Sequence, residues 1–179
     1  YRTVRQELKA VRAQLPAPEE APRMELRTAG AAPTTTELRD IFVQHGARGV
    51  LEAKRLLLIV DGWNVGLGHI GAEKLEDKRR VLEQALERYR SRTGNQVMVV
   101  YDGRTVSWFW MPRVAGHTIS RVFTEDETAD DFIVGELEVL TGGPETPVVV
   151  TSDKELRRRC IAAGAFVVSS DQLATLVGL

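Results

Sequence analysis

The chain has 179 residues, of which 43% are apolar and 27% charged, as in an ordinary globular domain. A single cysteine, Cys160, excludes an intramolecular disulfide and cysteine-rich metal modules, and it fits the reducing cytoplasm where we expect the protein. No apolar run approaches the roughly 18 residues needed to span a bilayer, so no membrane partner is expected. The net charge of −1 excludes nucleic-acid binding by bulk charge, so any such binding must come from local patches.

The first 54 residues carry helical and linker patterns. In residues 1–15, apolar residues recur at spacings of four, three and four. This fits either one end of a coiled coil, through which the chain could self-associate, or a helix that lies on the domain. Residues 16–36 contain four of the seven prolines and are predicted to be a linker. Thr36 is predicted to cap a connecting helix over 37–54, which two glycines could interrupt.

From residue 55 onward, apolar strands alternate with amphipathic helices. The strands are predicted over 55–60, 96–101, 117–123, 147–151 and 165–169, and the helices over 71–92, 128–140, 153–164 and 171–177. The GLGHIG segment (66–71) lacks the full G-x-G-x-x-G pattern of a dinucleotide site and is predicted to be a flexible loop. Strands that alternate with helices of this length predict an α/β domain with a mostly parallel sheet between two layers of helices.

Three of the predicted strands lead into an aspartate. Asp61 follows LLLIV, Asp102 follows VMVVY, and Asp153 follows PVVVTS. An aspartate at a strand end is often only a turn residue. Because the carboxyl ends of parallel strands meet at one edge of the sheet, however, we expect these three carboxylates to converge.

A fourth carboxylate begins a helix. Asp130 shares a helical face with the apolar Ile133, Val134 and Leu137, so it is expected to point toward the sheet. Asp131 lies about 100° round the helix and is less suited to point inward. The helical phase therefore predicts that Asp130, and not Asp131, joins the other three acids.

Four converging carboxylates repel one another and raise each other's pKa values unless a cation lies between them. Oxygen-only ligation favours Mg²⁺ or Mn²⁺. Zinc is not expected, because the three histidines are scattered and show no ligand spacing. A hard divalent cation on a parallel sheet suits phosphoryl chemistry, since it stabilises charge on the scissile phosphate.

The same residues resemble a known family. The segments LLLIVDGWNV, VMVVYDG, RVFTEDETADDFI and VVVTSDKELRRRCIAAGAFVVSS resemble, in order, the motifs of YacP-like NYN domains, which belong to the PIN-like nuclease superfamily. The resemblance covers about residues 55–179. It implies a PIN-like three-layer α/β/α domain, here preceded by N-terminal helices, that cleaves RNA with a metal ion. By position, it implies that the catalytic and metal-binding residues are Asp61, Asp102, Asp130 and Asp153. The supporting polar candidates beside them are Asn64, Thr128, Thr151 and Ser152.

Residues 103–124 combine basic and aromatic side chains and contain no acidic residue. Guanidinium groups bind phosphates and aromatic rings stack on bases, so this segment is the candidate contact for single-stranded RNA. The candidate RNA-binding residues are Arg104, Arg113, Arg121, Trp108 and Trp110. Alternatively, the segment packs under a loop or into an oligomer contact. Arginines 157–159 either contact the substrate or form an exposed helix face.

The leading interpretation is a metal-dependent endoribonuclease that hydrolyses RNA phosphodiester bonds through carboxylate-bound Mg²⁺ or Mn²⁺, on RNA that a ribosome or another partner could present. The alternative is a non-catalytic RNA-binding or scaffold protein, which would gain nothing from repelling carboxylates. One phosphatase family would need a second aspartate two residues after Asp61, where the chain has Trp63. Trp63 also stands where the family commonly has tyrosine, an exchange expected to matter little.

Overall fold

Apolar, largely β-branched runs form a central parallel sheet in the computed structural model, which describes residues 30–103, 119–140 and 142–179. The strands are β1 (Leu56–Asp61), β2 (Gln96–Asp102), β3 (Ser120–Thr124), β4 (Thr146–Val150) and β5 (Phe166–Val168). They pair in the order β3-β2-β1-β4-β5, and every pairing is parallel. In chain order, β2 and β3 are added on one side of β1, and β4 and β5 are then added on its other side. The strand order therefore reverses at β1 and β4, where open α/β sheets form their binding crevice.

Helices cover both faces of the sheet. They are α1 (Thr35–Glu52), α2 (Gly62–His69), α3 (Leu75–Thr93), α4 (Ala129–Leu140), α5 (Lys154–Ala162) and α6 (Ser170–Val177). One apolar core joins the sheet to α1, α2, α3 and α6, and the other joins it to α4 and α5. This confirms the predicted three-layer α/β/α domain with a parallel sheet. In the described part of the chain, no helix is both long and apolar enough to cross a membrane.

Strand β1 lies at the centre of this arrangement. All six of its residues are buried. Its side chains alternate between the two cores, with Leu58 and Val60 in one and Leu57 and Ile59 in the other. Burial on both faces explains the continuous apolar run, because neither face of the strand meets water.

The start of α1 differs from the prediction. Thr36 was predicted as the cap of a helix over 37–54, but Thr34 caps the helix, and its side chain accepts a hydrogen bond from the Glu37 backbone N–H. Glu37 in turn accepts from the Thr34 backbone N–H, which completes a capping box. Gly46 interrupts the helix with a φ of 66°, a left-handed conformation that favours glycine. The predicted helix over 1–15 and most of the predicted linker over 16–36 lie outside the described residues.

The second difference concerns residues 66–71. Their prediction as a flexible loop was wrong for residues 66–69, because these form the second half of α2, which ends at His69; residues 70 and 71 lie outside the helices and strands. Asp61 caps this helix, since its Oδ1 accepts a hydrogen bond from the Asn64 backbone N–H at 3.4 Å. The cap lets the chain turn directly from β1 into α2, and it places the first turn of the helix beside the carboxyl edge of the sheet.

Candidate functional site

Asp61 lies at the carboxyl end of β1 and is 8% exposed. Its Oδ2 accepts a hydrogen bond from Thr151 Oγ1 at 3.0 Å, and its Oδ1 caps α2. Burial raises the pKa of this carboxyl to about 6, and the negative charges of Asp130 and Asp153 add to the rise. The two hydrogen bonds oppose it. Asp61 is therefore a fixed, largely desolvated carboxyl group with like charges around it.

Asp130 and Asp131, in the first turn of α4, have opposite surroundings. Asp130 is half-buried, and its pKa is raised by burial, by Asp153 and, among further contributions, by Asp102. Asp131 is exposed and accepts a hydrogen bond from Arg159 Nη2 at 2.7 Å, which lowers its pKa. The orientation of the two side chains follows the predicted helical phase. The role of Asp130 as a metal ligand stays a prediction.

Asp102 and Asp153 complete the acidic edge, and both are exposed. Asp153 follows β4 and caps α5, since its Oδ1 accepts a hydrogen bond from the Leu156 backbone N–H at 2.8 Å. Asp102 ends β2, next to β1 in the sheet. Asp61, Asp102 and Asp153 thus stand at the carboxyl ends of three parallel strands, along one edge of the sheet. Asp130 is close enough to Asp61, Asp102 and Asp153 to interact with their charges.

The acids share this edge without forming a closed ligand shell. Within the three described ranges, no group of three or more His, Cys, Asp or Glu side chains is arranged to hold a metal ion. Asp61 and Asp153 each use a carboxylate oxygen to cap a helix. Like-charged carboxylates also tend to stay apart from one another. The edge therefore supplies oxygen donors in one region, and their assignment as ligands stays a prediction.

A polar network supports the edge from the β4 side. Asn64 Oδ1 accepts hydrogen bonds from the Ser152 backbone N–H at 2.8 Å and from Ser170 Oγ at 2.5 Å. Ser152 Oγ accepts from the Ser170 backbone N–H at 3.0 Å. Thr151 is fully buried, and its hydroxyl oxygen also accepts from the Asp153 backbone N–H at 3.1 Å. Asn64, Thr151 and Ser152 thus hold α2, α6 and the end of β4 together.

Thr128 has a different role from these three. It is exposed and precedes α4, and its Oγ1 accepts a hydrogen bond from the Asp131 backbone N–H at 3.1 Å. Its carbonyl oxygen accepts from the Phe132 backbone N–H at 3.0 Å. Thr128 therefore fixes the first turn of the helix that carries Asp130.

Two residues at the edge were missed by the sequence analysis. Trp63 Nε1 donates a hydrogen bond to the Asp102 carbonyl oxygen at 2.6 Å, and its ring lies 4.9 Å from that of Tyr101. Thr124 pairs with Asp102 in the β2–β3 register. Its Oγ1 is one of the buried side-chain atoms that have no hydrogen-bond partner in the described structure. Only the strand-end position of Thr124 could have indicated it, and no sequence pattern indicates the Trp63 contact.

Most of the residues that were predicted to contact RNA lie outside the described residues. Arg104, Arg113, Trp108 and Trp110 lie outside the described residues. Arg121 lies on β3, and its Nε donates to Glu83 Oε2 of α3 at 2.7 Å. Its side chain is 34% exposed. Arg121 is therefore engaged on the α3 side of the sheet, and its contact with RNA stays a prediction.

Comparisons with known proteins point to one family. A family model described as YacP-like NYN domain matches residues 58–178. The Bacillus subtilis (strain 168) protein named "Uncharacterized protein YacP" is 32% identical over 123 residues, covering 65% of this chain and 72% of that protein. The crystal structure of Rae1 (YacP) from Bacillus subtilis matches with a TM-score of 0.56 and 31% identity, over 68% of this chain and 73% of that one. The crystal structure of a mutant of the same Rae1 protein matches with a TM-score of 0.57 and 32% identity, over 69% and 75%. The chain therefore belongs to the YacP-like NYN domain family and has a PIN-like α/β fold.

Proposed function

We propose that the protein is a metal-dependent endoribonuclease that hydrolyses RNA phosphodiester bonds at the edge formed by Asp61, Asp102, Asp130 and Asp153. The observation that carries this proposal is the state of Asp61. It is a buried carboxyl group whose pKa is raised to about 6, partly by two neighbouring carboxylates, at the point where the strand order reverses. Burying such a carboxyl group costs folding free energy. Carboxyl groups that lie in a crevice and have strongly shifted pKa values are typical of catalytic sites. Membership of a nuclease superfamily supports the same reaction class.

The donor set suits Mg²⁺ or Mn²⁺. All four candidate ligands are carboxylates, which these cations prefer, and bringing them together without a positive charge is unfavourable. We propose that Asp61, Asp102, Asp130 and Asp153 hold the cation. When bound, the cation supplies electrostatic stabilisation for the charge that develops on the scissile phosphate.

The side chains of the chain itself have two further roles in this proposal. Thr151 and Asn64 hold Asp61 and the end of β4 in place, so the acids keep a fixed orientation through the reaction. Arg104, Arg113, Arg121, Trp108 and Trp110 are proposed to contact the RNA strand.

The proposal is tested by incubating the purified full chain with a circular single-stranded RNA in Mg²⁺, in Mn²⁺ or in EDTA, beside the Asp61→Asn variant. We expect linear products with either metal, because only an endonuclease opens a circle, and none in EDTA or with the variant. RNA binding without cleavage in either metal would instead favour the non-catalytic alternative. Equal cleavage by Asp61→Asn would contradict the proposed site.

A further inference from the structure

Arg159 is placed beside the acidic edge by two neighbouring helices. It lies on α5, and its Nη2 donates to Asp131 Oδ1 of α4 at 2.7 Å. Its positive charge is also close enough to interact with Asp130. Arg159 is therefore a cation within electrostatic reach of a candidate catalytic carboxylate.

Two other arginines form ion pairs away from the acidic edge: Arg158 on the same helix, and Arg121 on the opposite face of the sheet. Arg158 donates through Nε and Nη2 to Glu155 on its own helix, at 3.1 and 2.6 Å, and is 71% exposed. Arg121 is bound to Glu83 on the α3 side of the sheet. Of the arginines 157–159, which the sequence left open between substrate contact and exposed surface, the structure directs Arg159 to the acidic edge.

The pair of Arg159 and Asp131 is suited to positioning more than to stability. The two side chains are 31% and 54% exposed, and ion pairs in contact with water contribute little to folding. The contact with Asp131 is a single hydrogen bond, whereas a guanidinium carries five N–H donors in a planar fork. That fork matches the oxygens of a phosphate group. Because the Asp131 carboxylate already restrains the guanidinium on one side, the Arg159 side chain loses less conformational entropy when a phosphate binds.

We propose that Arg159 is a substrate-binding residue that receives an RNA phosphate beside the scissile one, and that Asp131 positions its guanidinium. This inference rests on the proposed function. A polyanion that approaches four carboxylates is repelled, and a fixed guanidinium next to Asp130 offsets that repulsion at the point of cleavage.

The test measures binding of a fluorescently labelled single-stranded RNA by anisotropy, in Mg²⁺ and at several salt concentrations. Every protein carries Asp61→Asn, so that the RNA stays intact. Adding Arg159→Ala is expected to weaken binding roughly tenfold, the effect of losing one charge-assisted contact. It is also expected to reduce the slope of log affinity against log salt by about 0.7, the value for one phosphate contact on a single strand. Arg159→Lys should keep the slope, and the control Arg158→Ala should change neither quantity.

The Asp131→Asn variant distinguishes phosphate binding by Arg159 from a purely structural role of its ion pair with Asp131. It breaks the same ion pair as Arg159→Ala, so a structural role predicts equal losses from the two variants. If Arg159 binds phosphate and Asp131 positions it, Asp131→Asn should weaken RNA binding less than Arg159→Ala does and should keep the salt slope, because the guanidinium still contacts the phosphate. Unchanged affinity and slope in Arg159→Ala, or an equal loss in Asp131→Asn, would overturn the inference. A wild-type protein that neither binds nor cleaves the RNA in Mg²⁺ would overturn the proposed function together with it.

Discussion

Thr151 donates its hydroxyl hydrogen to Asp61 Oδ2 at 3.0 Å and, through the same oxygen, accepts the Asp153 backbone N–H at 3.1 Å. This buried side chain therefore joins the ends of β1 and β4, the two strands between which the strand order reverses. It orients one carboxylate of the acidic edge and holds the backbone of another. The acids are consequently positioned by the fold itself and not by flexible loops alone.

We predict that Asp61→Asn stabilises the metal-free protein at neutral pH by about 2 kcal/mol, because it removes a buried charge that other carboxylates repel. Folding raises the pKa of Asp61 from 3.8 to about 6, so the folded state favours the protonated acid. The wild type therefore loses stability as the pH rises from 3.8 to about 6, the range in which only the folded state keeps this proton. Asparagine caps helices as well as aspartate does, so α2 should be retained.

The measurement is urea unfolding of both proteins in EDTA, at pH 4 and at pH 7.5. The free energies of unfolding should nearly coincide at pH 4, where Asp61 is protonated, and differ at pH 7.5. Adding Mg²⁺ should stabilise the wild type and not the variant, because only the wild type binds the cation. A variant less stable than the wild type at pH 7.5 in EDTA would show that the charge of Asp61 is compensated in the fold.

Asp130 and Asp131 provide a matched pair in one helical turn. Asp130→Asn should abolish Mg²⁺-dependent RNA cleavage, because Asp130 is half-buried among the other acids. Asp131→Asn should leave most of the activity, since Asp131 is exposed and bound to Arg159. Cleavage rates at saturating Mg²⁺ compare the two directly. The reverse ranking would show that Asp131 is the ligand.

Gly62, the first residue of α2, lies directly against the buried ring of Tyr101. A Cβ at this position would come within 2.3 Å of Tyr101 Cε1, a contact that the structure cannot accept without moving the ring. Gly62→Ala should therefore destabilise the protein by about 1–3 kcal/mol. The control is Gly66→Ala in the same helix, where a Cβ meets nothing within 4 Å and alanine should stabilise by up to about 1 kcal/mol. Thermal unfolding measures the change in stability of each variant relative to the wild type. Equal changes in the two variants would show that the contact of Gly62 with Tyr101 does not limit the side chain at this position.

Trp63 ties the end of β2 to α2 through the Asp102 carbonyl oxygen. Trp63→Phe should destabilise the fold by about 1 kcal/mol, the typical net value of one hydrogen bond, and should raise the Mg²⁺ concentration needed for half-maximal cleavage. The comparison is Tyr101→Phe, which removes the bond from the Tyr101 hydroxyl to Glu83 at 3.3 Å, away from the acidic edge. Tyr101→Phe should lower the free energy of unfolding and leave the Mg²⁺ concentration for half-maximal cleavage unchanged. A Mg²⁺ requirement that shifts equally in both variants would show that Trp63 acts only through general stability.

Much of this fold could be predicted from local patterns in the sequence. The strands were recognisable because both faces of the sheet are covered, so residues such as those of β1 are apolar without interruption. The inward side of α4 followed from its periodicity, which separates Asp130 from Asp131. The strand ends then indicated where the acids meet, because all the strands run in parallel.

The features that were missed depend on contacts between distant residues. Helix α2 contains Gly62, Gly66 and Gly68, which have low helix propensity, and it forms because Asp61 caps it and Val65 packs into the core. The bond between Arg159 and Asp131 joins positions 28 residues apart, and that between Ser170 and Asn64 joins positions 106 apart. No local pattern specifies such pairs, since only the packing of α4 against α5 and of α2 against α6 brings them together.

The proposed metal site is tested most directly by a crystal structure of the full chain soaked in Mn²⁺, with anomalous scattering recorded to locate the metal. We expect an anomalous peak at the carboxyl edge of the sheet, within coordination distance of oxygens from Asp61, Asp130 and at least one of Asp102 and Asp153. The same crystals of Asp61→Asn should lose the peak or show it much weakened. Mn²⁺ bound away from this edge, at a concentration that supports RNA cleavage, would contradict the assignment of these aspartates as the metal ligands.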